Sequence, residues 1–364
     1  MSTTPKTSLR SAQGFTFVEL LVAIGVSLVV MAAAASVFQK SAETSNLVMQ
    51  RLEVQSELRS AANQLARDLD QAGTAVPDGG ISIPSAATGG TNPRFACDST
   101  TCYLSTNNTL TQGVLNKVVP ANGAGPNILQ PTDAIVLSYL DPLLDWRAYP
   151  TTTAASNGTT LTMPAGTTPP INDPAVGLAV GDVLFLQNAN GNALGVVTSF
   201  NPSTRVISFA NGDPLIINQS GATVGNIKAL RYSPVPASPP YYPAITVSRL
   251  MLITYFVQQV NTPEGPSYRL MRQVGARTPV VVAENIEDLQ FTYDLFDDST
   301  NNLTANLPDA VTGSPPSPKP NQIRKINITI TARSPRRNAQ GQFDRISYTT
   351  SLGPRNLSFR DRYN

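Results

Sequence analysis

Residues 15–38, FTFVELLVAIGVSLVVMAAAASVF, form an apolar run of 24 positions that contains one charge, Glu19. As a helix this run is about 36 Å long, enough to cross a bilayer. The pattern then turns amphipathic. Val54, Leu58, Ala62, Leu65 and Leu69 recur at steps of four, four, three and four, which is helical spacing. Glu53, Glu57, Arg59, Arg67 and Asp68 occupy the other faces. No Pro or Gly lies within 26–72, and Gly73 and Pro77 end the element. The spacing predicts one helix over 15–72, roughly 87 Å long.

Beyond residue 73 the period shortens to that of strands. Short apolar or alternating runs cover Ala134–Leu140, Asp182–Gln187, Ala193–Phe200, Arg205–Phe209, Ile227–Tyr232, Ile245–Val260, Tyr268–Val274, Leu289–Phe296, Ile323–Ala332 and Phe343–Ser351. The alternation is clearest where Asn327 and Thr329 separate Ile326, Ile328 and Ile330. Thr-, Asn-, Gly- and Pro-rich segments near 79–93, 107–131, 150–173 and 297–322 read as surface insertions. The fold class is therefore α+β. A long N-terminal α-helix, with a transmembrane first half, packs on a mostly antiparallel β-sheet head that carries large loop insertions. The expected division is a leader at 1–14, the helix at 15–72 with its membrane part over about 15–38, and the head at 73–364.

Composition agrees with a loop-rich β head outside the cytosol. Of 364 residues, 41% are hydrophobic and only 14% charged, with 30 Pro and 24 Gly. The net charge of +2 hides an uneven distribution: the last 42 residues alone carry nine basic and two acidic side chains. There is no histidine. That removes the usual actor of general-base, triad and zinc chemistry. Neither a phosphate-binding G-x-x-x-x-G-K-[ST] loop nor a G-x-S-x-G elbow is present. The chain reads as a non-enzyme without a cofactor.

Glu19 is the anomaly. A carboxylate four residues inside an apolar span costs about 2.5–3.5 kcal/mol or more unless it has a partner. The nearest positive candidate is the α-amino group that Phe15 acquires if the chain is cut after Gly14. Lys6 and Arg10, with no acid among residues 1–14, favour a cytoplasmic amino end.

The run Gly14-Phe15-Thr16-Phe17-Val18-Glu19-Leu20-Leu21-Val22-Ala23 resembles a type IV prepilin signal. The resemblance implies cleavage between Gly14 and Phe15 by a prepilin peptidase, N-methylation of Phe15, and pairing of Glu19 with the amino terminus of a neighbouring subunit. An ordinary secretory signal ending at Ala33–Ala35 accounts for neither Glu19 nor the continuing helix, and a plain membrane anchor leaves Glu19 and the Gly-Phe junction unexplained.

Ile253–Val257 followed by Tyr268–Arg272, and the run Asn285–Tyr293, are similar to segments of PilW-like minor pilins and of the related J-type pseudopilins of type II secretion. This implies assembly with other major and minor pilins through inner-membrane pilus machinery, and passage from the inner membrane, head in the periplasm, to the pilus or cell surface. A J-type pseudopilin and a membrane-tethered binding module are the alternatives.

Three further groups of residues are candidates for chemistry. Cys97 and Cys102, the only cysteines, fit a small-loop disulfide in an oxidising compartment. Asp294, Asp297 and Asp298, near Asn301 and Asn302, lack EF-hand spacing and read as a solvated loop in preference to a calcium site. Arg333, Arg336, Arg337, Arg345, Arg355, Arg360 and Arg362, with Tyr348, Phe359 and Tyr363, form a basic and aromatic end. A strand face or subunit contact is favoured there over nucleic acid.

Overall fold

The structure is a computed structural model that describes residues 14–86, 89–97, 102–105, 113–231, 242–263, 265–297, 300–308, 322–338 and 341–357. Lys6, Arg10, Asp298, Phe359, Arg360, Arg362 and Tyr363 lie outside them.

One α-helix, α1, covers Phe17–Gln71. It ends where Gly73 adopts φ +81°, in the left-handed region that favours glycine, and where the Gly73 N–H donates to Ser138 O at 2.8 Å. Tertiary contacts divide the chain into two compact units, 1–53 and 54–364, so the break falls inside α1 and not at its end.

In the first unit the helix is exposed all round its apolar stretch. Phe17, Val18, Leu20, Leu21, Val22, Val29, Val30, Met31, Val37 and Phe38 are all open. Among the described residues α1 is the one helix long and apolar enough to cross a membrane.

The second unit begins with the amphipathic part of α1. Val54, Leu58, Ala61, Ala62, Leu65, Asp68 and Leu69 are buried. Asp68 thus lies on the packed face, not on another face as its spacing suggested. The strands follow in chain order: β1 Ile81–Ser82, β2 Arg94–Cys97, β3 Cys102–Ser105, β4 Val114–Leu115, β5 Val118–Ala121 and β6 Ala134–Asp145. Next come β7 Thr160–Thr162, β8 Val183–Asn188, β9 Gly191–Val196, β10 Ser199–Asn201 and β11 Val206–Ser208. The chain then supplies β12 Thr246–Thr262, β13 Gly265–Val274, β14 Val280–Glu284, β15 Ile286–Asp297, β16 Asn302–Leu307, β17 Ile323–Arg337 and β18 Phe343–Leu352.

Two antiparallel sheets carry the unit. The larger runs β14-β13-β12-β6-β5, with β8 also pairing β12 and β9 pairing β8; the smaller runs β16-β15-β17-β18. Strand β12 forms a hairpin with β13, in which Tyr255 faces Arg272 and Val257 faces Leu270. Strand β15, which contains most of Asn285–Tyr293, pairs with β17 through Phe291↔Ile328 and Tyr293↔Ile326. The buried stripe of α1 shares one core with Ile253, Tyr255, Val257, Phe291, Tyr293, Ile326, Ile328 and Ile330.

Several expectations need correction. The segment near 150–173 is not merely surface insertion, because Leu161, Met163 and Ile171 pack with the strands that follow it. The stretch between β6 and β12 builds a core of its own, in which Leu144, Trp146, Leu161, Met163, Ile171, Ile207, Phe209 and Ile245 are buried. Trp146 is fully buried, and its indole Nε1–H donates to Pro169 O at 2.8 Å, so its polar handle is satisfied inside the lobe. Ile81, Ile83, Val118 and Val119, from the segments near 79–93 and 107–131, are core residues too.

Ile227–Leu230 forms a 3-10 turn instead of a strand. The Asn226 side chain caps it by accepting from the Ala229 N–H at 3.0 Å. That local bond replaces the ladder partner a strand would need.

Candidate functional site

The site with chemical character is the amino end of α1. Gly14 and Phe15 precede the helix in exposed chain without secondary structure. A Cβ added at Gly14 meets no atom within 4 Å. Among the described residues nothing therefore requires a small residue at that position.

Thr16 and Glu19 close the first turn on each other. The Thr16 N–H and the Thr16 hydroxyl both donate to Glu19 Oε2 at 2.9 Å, and the Glu19 N–H donates back to Thr16 Oγ1 at 3.3 Å. This is a capping box, T-x-x-E, in which side chains satisfy the otherwise orphaned first N–H groups of a helix. The carboxylate also sits at the positive end of the helix dipole. The signal was legible in Thr16-Phe17-Val18-Glu19. Both bonds from Thr16 end on Oε2, and the carboxylate stays exposed.

In the second unit the helix is seated by a buried charge. Asp68 accepts from Tyr255 Oη at 2.6 Å and from Arg272 Nε and Nη2 at 2.7 and 3.1 Å. Tyr255 and Arg272 are direct cross-strand partners, so the hairpin presents phenol and guanidinium side by side. Burial and the Asp68 charge push the Tyr255 phenol well above its ordinary range, and push Tyr139 up to about 12.

Cys97 and Cys102 face each other in the β2–β3 pair, and their sulfurs are bonded. Cys97 is buried, and its N–H donates to Gln273 Oε1 at 3.0 Å, which ties this small hairpin to β13.

Among the described residues no three acidic side chains come together to hold a metal ion. Asp294 accepts from the Asn306 N–H and from Asn327 Nδ2, with Lys325 Nζ at 3.5 Å. Asp297 accepts from the Thr300 hydroxyl.

Among the described residues of the basic end, Arg333, Arg337 and Arg345 are engaged within the chain. Arg333 and Arg345 both bond the buried Glu287, at 3.2 and 2.7 Å. Arg333 and Arg337 stack on the Phe343 ring, 4.2 and 4.6 Å from its centroid.

Residues 9–35 match the family model described as the Prokaryotic N-terminal methylation motif. No curated protein and no solved structure matches the chain. The motif spans the Gly14–Phe15 junction, the capping box and most of the apolar stretch. It supports the class of type IV pilin-like proteins, pseudopilins included, with processing by a prepilin peptidase and anchoring in the inner membrane.

Proposed function

We propose that this chain is a non-catalytic, PilW-like minor pilin. It is cut between Gly14 and Phe15, methylated at Phe15, and assembled with other major and minor pilins to start or cap a type IV pilus. The observation that carries this reading is the methylation motif set on a helix whose first 22 residues, 17–38, are exposed and apolar but for Glu19 and two serines, while its later turns carry the buried stripe of a β head. Such an apolar surface needs lipid or the helices of other subunits to cover it.

In this reading Glu19 has successive partners. Thr16 holds the carboxylate locally, and after cleavage the Phe15 amine of a neighbour adds the charge it needs in a low-dielectric bundle. The Cys97–Cys102 bridge is kept in an oxidising periplasm. The test is the protein content of filaments sheared from piliated cells. The subunit should be present at low stoichiometry, and pilus number should fall when its gene is deleted. Deletion that leaves pili intact but stops protein secretion points to a pseudopilus. Deletion with no effect on either favours a membrane-tethered binding module.

A further inference from the structure

The sequence contains three Asp–Pro bonds, Asp141–Pro142, Asp173–Pro174 and Asp213–Pro214. Such a bond is a special amide. The aspartate carboxyl can reach its own carbonyl carbon, and the leaving group is the basic nitrogen of a tertiary amide. The three bonds sit in different surroundings. Asp141 has Oδ2 in an ion pair with Arg249 Nη2 at 2.5 Å and Oδ1 on the Leu143 N–H at 2.9 Å, so both oxygens are engaged away from the peptide. Asp173 is half-buried, and its Oδ1 accepts from the Ala175 and Val176 N–H groups at 2.8 and 3.0 Å. Asp213 is only 3% exposed.

The Asp213 carboxyl folds back over its own backbone. Oδ1 accepts from the Leu215 and Ile217 N–H groups at 3.0 and 3.3 Å, and Oδ2 from the Asn218 N–H at 2.7 Å. The first of these bonds closes an Asx turn, which sets the carboxyl beside the Asp213–Pro214 peptide. The Asp213 carbonyl oxygen accepts from the Ile216 N–H at 3.0 Å, a donor placed where negative charge develops if that carbonyl is attacked. Burial pushes the Asp213 carboxyl above its ordinary value, against the pull of the N–H bonds. The charged groups of neighbouring elements bond elsewhere: Arg94 Nε donates to Pro214 O at 3.0 Å, and Arg277 pairs with Asp182. The turn is also strained. Ile216 has φ +55°, and among the described non-glycine residues with positive φ it alone is branched at Cβ. A β-branched side chain there is an outlier, and strain of this kind persists where the surroundings over-determine it. Arg94 grips the turn through Pro214 O and, from its N–H, through Leu215 O at 3.0 Å, while Leu215 and Ile217 are buried on the other side. Pro214 is exposed, and Asp213 and Pro214 line an open cleft of about 480 Å³, which gives water access to the bond.

We propose that this strained turn makes Asp213–Pro214 a self-cleavage site. In the neutral acid, one carboxyl oxygen attacks the Asp213 carbonyl carbon, the C–N bond to Pro214 breaks, and the carboxyl proton passes to the Pro214 nitrogen. The products are a cyclic anhydride at Asp213 and a free amine at Pro214. Water from the cleft then opens the anhydride to two carboxyl groups, so the net change is the addition of water across the bond. Cleavage releases the restraint on Ile216. The two pieces stay together, because β6 and β8, before the cut, pair with β12, after it. The inference does not use the pilin reading.

The test incubates the full-length folded protein in detergent between about pH 4 and 7 and compares it with the same protein unfolded in urea. Intact mass and amino-terminal sequencing follow all three Asp–Pro bonds in one sample. The folded chain should be cut at Asp213–Pro214 at least about tenfold faster than at Asp141–Pro142 or Asp173–Pro174, and the excess should vanish in urea. The pieces should migrate together on a native gel and separate on a denaturing one. Ile216→Gly, which keeps the carboxyl and accepts a positive φ without strain, should slow the cut severalfold. A folded chain cut at Asp213–Pro214 no faster than at the other two bonds, no faster than in urea, or at an unchanged rate in Ile216→Gly overturns the proposal.

Discussion

Asp68 and Tyr255 meet at 2.6 Å, a helix carboxylate accepting the phenol proton of a strand residue 187 positions along the chain. With Arg272 on the facing strand, they fix where α1 sits along the hairpin. An apolar stripe alone tolerates sliding by a turn, whereas a buried charge with one set of partners does not.

Asp68→Ala should lower the unfolding free energy by about 3–5 kcal/mol, because it leaves Arg272 partly buried without a counter-charge. Tyr255→Phe, which deletes one bond to a charged group, should cost about 1.5–3 kcal/mol. Denaturant unfolding in detergent checks both. An Asp68→Ala loss below about 1 kcal/mol would show that apolar packing alone seats the helix.

Alkali should find the same cluster. The folded pKa of Tyr139 is pushed up to about 12 from 10.0, chiefly by burial and then by Asp68, and that of Tyr255 is raised further for the same reasons. A group with a raised folded pKa contributes its full stability below the unfolded value and loses it as pH climbs through the folded one. Stability should therefore decline above pH 10, the unperturbed phenol value. Tyr255→Phe should flatten part of that decline. Phenolate absorbance should show at least two tyrosines that ionise only as the protein unfolds. Complete ionisation of all phenols with the fold intact would contradict the buried assignment.

The Cys97–Cys102 bridge closes a short loop, so its stabilisation on the chain-entropy model is modest, roughly 2–3 kcal/mol. A non-reducing peptide map of material from the cell envelope should recover the linked pair. Cys97→Ser with Cys102→Ser should lower the thermal midpoint without preventing folding. Two free thiols in promptly alkylated, unreduced cells would remove the bridge from the account.

Glu19→Ala should leave the protein membrane-inserted, since the apolar run becomes continuous. The loss of the capping box should cost about 0.5–2 kcal/mol of local helix stability. Cleavage after Gly14 should persist, while incorporation into sheared filaments should fall severalfold or more. Thr16→Val, which keeps the backbone donor but removes the hydroxyl, separates the two roles of Glu19. It should weaken the cap and leave incorporation largely intact. Normal filament levels of Glu19→Ala would end the charge-pairing mechanism.

Much of the fold was legible because its signals are local. The α1 stripe from Val54 to Leu69 and the alternation around Ile326–Ile330 need only a neighbour three, four or two residues away to be read. The buried polar seat was not legible. Asp68 looks like any solvated helix charge, and nothing near it in sequence points to Arg272, 204 residues on. The lobe between β6 and β12 was hidden for a related reason. Trp146, Leu161, Met163 and Ile171 are spaced too widely among Pro, Thr and Asn to show a period, and only the fold gathers them. Ile227–Leu230 misled in the opposite direction. Its apolar run suits a strand, and the residue that decides otherwise is the cap at Asn226.

The most direct test of the central claim is the mass of the mature amino terminus, isolated from the membrane fraction. The account predicts a chain that begins at N-methylated Phe15. It further predicts that Gly14→Leu accumulates as uncut precursor with a normal fold, since the structure has open space at that position. A mature end near Ser36, or an unprocessed amino terminus in cells whose other prepilins are cut, would contradict it.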